Sequence, residues 1–127
     1  MTDQEFLHAF EMGHLSPTEF HHRDHLRLAW LQVQRLGAGA AADVVGAGIR
    51  RFAVAHGQDR LYHDTLTRFW VRIVAHASEP TFEKTLERHP MLLSKELPMR
   101  HWSRESLFSD EARAGWVDPD LAPLPFA

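Results

Sequence analysis

SPTEFHHRDHLRLAWLQVQRL, residues 16–36, is the stretch on which the fold reading turns. Ser16 stands at an N-cap, Pro17 at the first helical position and Glu19 at the third, a strong signal for a helix start. Gly37 and Gly39 follow Leu36 and mark its end, so the pattern predicts one helix over 16–36. On a wheel of roughly 100° per residue, Arg23, Asp24, Arg27, Gln34 and Arg35 share one side. Leu26, Ala29, Val33 and Leu36 share the other. His22 and His25 fall with the apolar group, and His21 lies at its edge beside Leu28.

The same helical period recurs on both sides of this stretch. Thr2 and Glu5 form a capping box before Phe6, Leu7 and Phe10, and Gly13 stops that short helix. A third helix is expected from Asp43, which caps it or sits early in it, to His56, with Val45, Ile49, Phe52 and His56 on one face. Gly46 and Gly48 weaken it by up to ~1 kcal/mol each and make room for a close neighbour. Leu61–Ala77 reads as a fourth helix, its stripe of Leu66, Phe69, Trp70, Ile73, Val74 and Ala77 opposed by Arg68 and Arg72. Phe82 and Leu86 mark a short fifth helix ending near His89-Pro90. Beyond Met91 the pattern is less regular. Leu92, Leu93 and Leu97 suit a short helix, Ser103 caps a turn, and Ser109 opens a helix through Trp116. The proline-rich tail, residues 117–127, is expected to lie extended. No strand-like alternation persists. The expectation is one all-α domain over 1–127, a compact bundle of four to six helices with an irregular proline-rich C-terminal tail.

Composition bounds the function. The chain has 127 residues, 44% of them hydrophobic and 24% charged, and a net charge of −3. That is enough to build one core. No basic face is available to neutralise a phosphate backbone, so nucleic acid is not expected as a partner. There is no cysteine, which excludes disulfides and thiolate ligands. No signal peptide and no membrane-length apolar run is read, so the expected setting is cytoplasmic.

Ten histidines stand out. A buried imidazole needs partners for its ring nitrogens. Helix positions three or four apart place side-chain origins roughly 5–6 Å apart, a spacing that lets two imidazoles share one ion. His22 with His25, and His21 with His25, both have it. His63 falls on the core side of the fourth helix with Thr67, Trp70 and Val74. It lies near the helix N-terminus, where the dipole favours the neutral, metal-binding form. If the second and fourth helices pack together, His22, His25 and His63 provide three ligands and leave an open position. The ion would be one divalent transition metal: zinc, iron, copper, nickel or manganese. Asp24 and Asp64 are the candidate proton acceptors, or orient an imidazole, or are simply solvated. Tyr62 and Thr67 would supply hydrogen bonds to a metal-bound water or ligand, and Trp70 would line a pocket beside His63. His21 and His56 are additional candidates, with His56 equally explained as a helix-end residue. The alternative for the whole cluster is a set of hydrogen-bonded core histidines without metal.

The stretches FHHRDHLRLAW (20–30) and YHDTLT (62–67) are similar to signature segments of a family of small bacterial helical proteins, and SLFSDEARAGWVDPDLAPLP (106–125) is similar to that family's ending. The resemblance covers most of the chain. It implies a His-x-x-His element at His22 and His25 and a Tyr-His-Glu-Thr element at Tyr62, His63 and Thr65. Asp64 stands where the family pattern has Glu, which keeps a carboxylate but shortens its reach by one methylene. The resemblance implies a site and carries no reaction with it. Small four-helix proteins of the DinB type, which hold a divalent metal on three bundle histidines, are an architectural analogy, with the closely spaced pair here coming first in the chain. The expectation is a small histidine-ligated metalloprotein acting as a metal-dependent hydrolase or oxidoreductase (an oxygenase if the ion is iron or copper) on a small molecule. The alternatives are a non-enzymatic metal or small-ligand binding module and a structural or interaction domain. A homodimer is compatible with either alternative.

Overall fold

The computed structural model of the chain describes residues 1–126. Its regular structure is entirely helical, 68% of the chain, with no strand among the described residues. Five helices have seven residues or more: α1 (Asp3–Glu11), α2 (His22–Leu36), α3 (Ala38–Ala55), α4 (Asp64–Ala77) and α5 (Phe82–Arg88). Two helices of about one turn follow, α6 (Arg104–Leu107) and α7 (Asp110–Ala114). Helices α2, α3 and α4 pack on one another, and α7 packs on α4.

Helix α1 starts as its sequence indicates. Thr2 Oγ1 accepts from the Glu5 N–H at 3.1 Å, and the Glu5 carboxylate accepts from the Thr2 N–H at 3.0 Å. The expected continuous helix over 16–36 does not form. Pro17–Glu19 makes one 3₁₀ turn, Phe20 and His21 leave the helix, and α2 begins at His22. A second start signal competes with the first: Asp24, at the third helical position, accepts from the His21 N–H at 2.9 Å. The break lets the Phe20 ring turn inward against Phe10 and Phe52, with centroids 5.4 and 5.1 Å away. Burial of an aromatic side chain there outweighs one more turn of helix.

Two other starts shift for local reasons. Helix α3 begins ahead of Asp43, directly after Gly37. Gly37 has φ of +81°, a conformation that suits glycine and lets the chain end α2 and start α3 at one residue. Asp43 therefore lies within α3, where it accepts from Arg68 at 2.9 Å. Helix α4 begins at Asp64 and not at Leu61, because Asp59–Leu61 forms its own 3₁₀ turn and His63 caps α4. Helix α7 stops at Ala114, short of the expected Trp116, and Gly115–Phe126 contains no helix. Ala127 lies outside the described residues.

Phe69, Val71, Ile73, Val74 and Ala77 of α4 are buried, together with Leu26, Leu28, Ala29 and Leu31 of α2. Trp102 is fully buried, edge-on between Phe69 and Trp116 at 5.4 and 5.6 Å. It is the anchor of the irregular C-terminal third. No helix among the described residues is long and apolar enough to cross a membrane.

The glycines of α3 mark its closest contacts. A Cβ at Gly48 would come within 2.5 Å of the Phe10 ring, and one at Gly46 within 3.0 Å of the Tyr62 hydroxyl. Gly39 has open space around it. Gly48→Ala is therefore expected to destabilise the fold by about 1–3 kcal/mol through overpacking, despite the better helix propensity of alanine. Gly39→Ala is expected to stabilise it by roughly 0.5 kcal/mol. Urea denaturation of the two variants checks the opposite signs.

Candidate functional site

The N-terminal turns of α2 and α4 enclose a cavity of about 430 Å³. His22 and His25 of α2, His63 at the cap of α4, and His21 all line it. Tyr62, Thr67, Trp70 and Lys95 line it too, with an apolar wall that includes Ala29, Val45, Ile49 and Leu66. The residues read from sequence as one site are thus brought together, except His56, Asp24 and Asp64, which do not line the cavity.

Each imidazole has a different environment. His63 is buried and fully committed. Its Nδ1 accepts from the Leu66 N–H at 3.1 Å and so caps α4. Its Nε2 is paired with the Leu107 carbonyl. A carbonyl only accepts, so Nε2 carries the proton and the neutral tautomer is fixed. His22 Nε2 likewise donates to the Leu92 carbonyl, at 2.8 Å, which leaves its Nδ1 as an acceptor. The His22 ring meets Trp70 edge-on with centroids 4.5 Å apart.

His25 stacks on Phe20, with centroids 4.1 Å apart and planes inclined at 27°. It makes no side-chain hydrogen bond among the described residues. Yet no buried side-chain nitrogen or oxygen in those residues lacks a partner. The ring nitrogens of His25, and Nδ1 of His22, are therefore accessible to solvent, and both rings line the cavity. Burial, reinforced by the neighbouring His22, lowers the His25 pKa to about 4, against a small opposing pull from Asp24. Burial also lowers the pKa values of His22 and His63, with the carbonyls of Leu92 and Leu107 opposing it. These three rings are thus uncharged at neutral pH.

The two carboxylates have other work. Asp24 caps α2 through the His21 N–H. Asp64 is 8% exposed. It accepts from the Tyr62 hydroxyl at 2.8 Å and from Arg68 Nε at 2.8 Å. Burial, together with the bond to Asp64, pushes the Tyr62 pKa up to about 12. Thr67 donates to the His63 carbonyl at 2.9 Å. His56 Nδ1 is bound to the Phe52 carbonyl of its own helix at 2.9 Å.

A three-histidine metal set does not fit the arrangement as it stands. Both His63 nitrogens are used within the fold, and among the described residues no three His, Asp or Glu side chains are grouped to hold an ion. The uncommitted donors are those of the pair His22 and His25. Sequence reasoning missed Lys95, which reaches the cavity from the irregular segment after Leu92. No helical periodicity places it, because the link is the long-range bond from His22.

Two measurements follow from these environments. His63→Ala removes both the cap and the only side-chain donor to Leu107, at an expected cost of about 2–3 kcal/mol. His63→Asn keeps the cap and is expected to recover about half of that loss; equal destabilisation of the two variants would contradict the capping role. His25 is neutral in the folded chain down to about pH 4 but protonates near 6.5 when unfolded. The unfolded state then binds the extra proton between those values, so stability is complete above 6.5 and falls as pH drops toward 4. The expected loss from His25 is on the order of 1–3 kcal/mol, with His22 and His63 acting in the same direction. His25→Gln should flatten the dependence of the urea midpoint on pH between 7 and 4.5. No protein-family model matches the chain, and comparison with curated proteins and with solved structures gives no match.

Proposed function

We propose that the protein binds a small, largely apolar molecule in the cavity between α2 and α4, with the neutral His25 imidazole as its polar anchor. The observation that carries this is the His25 ring itself: half-buried, stacked on Phe20, and left without a hydrogen-bond partner in a cavity of about 430 Å³. Small-molecule sites have this character, apolar walls with a few convergent polar groups. A neutral imidazole offers one donor and one acceptor, so it orients a ligand without demanding a charge. His22 and the exposed His21 add further polar groups to the lining.

A second reading is favoured by one feature. His22 Nδ1 and both nitrogens of His25 are uncommitted on rings three residues apart on one helix, a spacing that suits two ligands to one divalent transition metal. The remaining coordination positions would go to a bound small molecule or water. This is the form in which the metal-dependent hydrolase or oxidoreductase reading stands, with His63 as a structural residue.

Elemental analysis of tag-free protein separates the two, followed by NMR titration with a neutral fragment library. On the first reading the protein carries no stoichiometric transition metal. Fragments shift the Trp70 indole and His25 ring signals, and His25→Gln weakens them about tenfold, the loss of one good hydrogen bond. On the second, near one equivalent of metal is retained by the parent and by His63→Asn but lost in His25→Gln. Fragments that bind while leaving the Trp70 and His25 signals unmoved would refute the cavity as the site.

A further inference from the structure

The cavity rim carries one full charge. Lys95 lines the cavity, and its charge is felt at both His22 and His25. It is exposed, and it has no ion-pair partner among the described residues. No Asp or Glu lines the cavity. The carboxylate whose charge is felt at His25, that of Asp24, is held by the His21 N–H at the start of α2. Burial keeps the rings of His22, His25 and His63 neutral near pH 7, and Lys95 is the one lysine or arginine that lines the cavity.

The placement of Lys95 is built into the fold. His22 holds the Leu92 carbonyl at 2.8 Å, and Leu92 is itself buried. The segment turns at Ser94, whose N–H is bound to the Met91 carbonyl at 3.0 Å. Lys95 is the next residue, so the bond from α2 delivers an ammonium group to the side of the cavity that holds His22 and His25. Trp70, Leu66 and Ile49 add apolar lining suited to a flat or branched hydrocarbon body, with the Trp70 ring against that of His22.

We propose that the ligand is a monoanionic small molecule with an aromatic or branched apolar body and a carboxylate, the carboxylate paired with Lys95 and hydrogen-bonded by His25. This rests on the cavity being the binding site, and it names the chemical class the cavity selects. A single lysine and neutral imidazoles match one negative charge. An ammonium is a point charge on a flexible stem, and it suits a carboxylate at a rim that water still reaches. A dianionic phosphate would call for an arginine fork, and no arginine lines the cavity. His22 is a positioning residue on this account, because it acts on the ligand through the Leu92–Lys95 segment.

The test uses matched pairs of acids and their neutral amides: benzoate with benzamide, and 2-naphthoate with 2-naphthamide. Each is titrated into the full chain at pH 7 and followed by the Trp70 indole and His25 ring NMR signals. At least one carboxylate is expected to bind about tenfold more tightly than its amide, a preference that weakens as salt is raised. Lys95→Gln should bring the acid down to the affinity of the amide and leave the amide unchanged, while Lys95→Arg keeps the preference. Because Lys95 is exposed, neither variant should disturb the fold. Equal affinity of acid and amide, or an acid preference that survives Lys95→Gln, overturns the anion assignment and leaves the cavity reading standing. Failure of every probe to move the Trp70 and His25 signals overturns both.

Discussion

The irregular last third of the chain cannot satisfy its own backbone, and the fold depends on how that need is met. Helices pair most of their carbonyls internally, but residues beyond Arg88 form only 3₁₀ turns and helices of about one turn. Two carbonyls of this region, those of Leu92 and Leu107, are held by imidazole N–H groups projecting from the starts of α2 and α4. Each imidazole is neutral and each presents Nε2–H, so the two histidines act as fixed single donors. Protonation would add a charge in a poorly solvated place. The same burial that makes these bonds strong therefore makes them sensitive to acid.

The Tyr62–Thr65 segment extends this principle, because its hydrogen bonds gather other parts of the chain at the N-terminus of α4. Tyr62 donates to Asp64, Asp64 accepts from Arg68, and Arg68 reaches Asp43 on α3. Thr65 is fully buried; its hydroxyl donates to the Gly115 carbonyl at 2.7 Å and accepts from the Val117 N–H at 3.2 Å. Such a network is satisfied as a whole, so losing one member leaves others unpaired in a medium where that is costly. Asp64 is held by a tyrosine and an arginine at once, and a longer side chain at this position would have to move one of them. On this geometry the segment reads as a clasp between helices and C-terminal chain before it reads as chemistry.

Much of the fold was legible in the sequence because caps and apolar stripes are local. Thr2 with Glu5, Ser103 and Ser109 all cap where the pattern puts them, and Phe69, Ile73, Val74 and Ala77 of the α4 stripe are buried, with Leu66 and Trp70 half-buried. The start of α2 was misplaced because two capping signals lie in one stretch, and a wheel cannot weigh the burial of Phe20 against an extra helical turn. His63 was assigned to the body of α4 for a related reason. Imidazole is an uncommon cap, and its Nδ1 takes that role only with a carbonyl at hand for Nε2–H. That carbonyl belongs to Leu107, far away in sequence. The gathering of His22, His25 and His63 at one cavity was legible from the two helical faces. Which of their nitrogens remain available was not, since it is decided by Leu92 and Leu107, whose positions no periodicity encodes. Lys95 was invisible for the same cause.

His25 is the exception to the rule that the other two histidines follow. All three pay a desolvation cost for their ring, but only His25 receives no hydrogen bond from the protein in return. Replacing it with an apolar side chain would suit the Phe20 stack equally well if packing were the sole demand. A polar ring in that position makes physical sense when something entering the cavity completes its bonding. The hydrogen bond that a ligand would supply, about 1 kcal/mol net and more if the ligand is charged, is of the same order as the cost of holding the ring there. Of these three rings, His25 is the one to which the fold gives no hydrogen bond, while His22 and His63 are tied to the Leu92 and Leu107 carbonyls that hold the chain around the cavity.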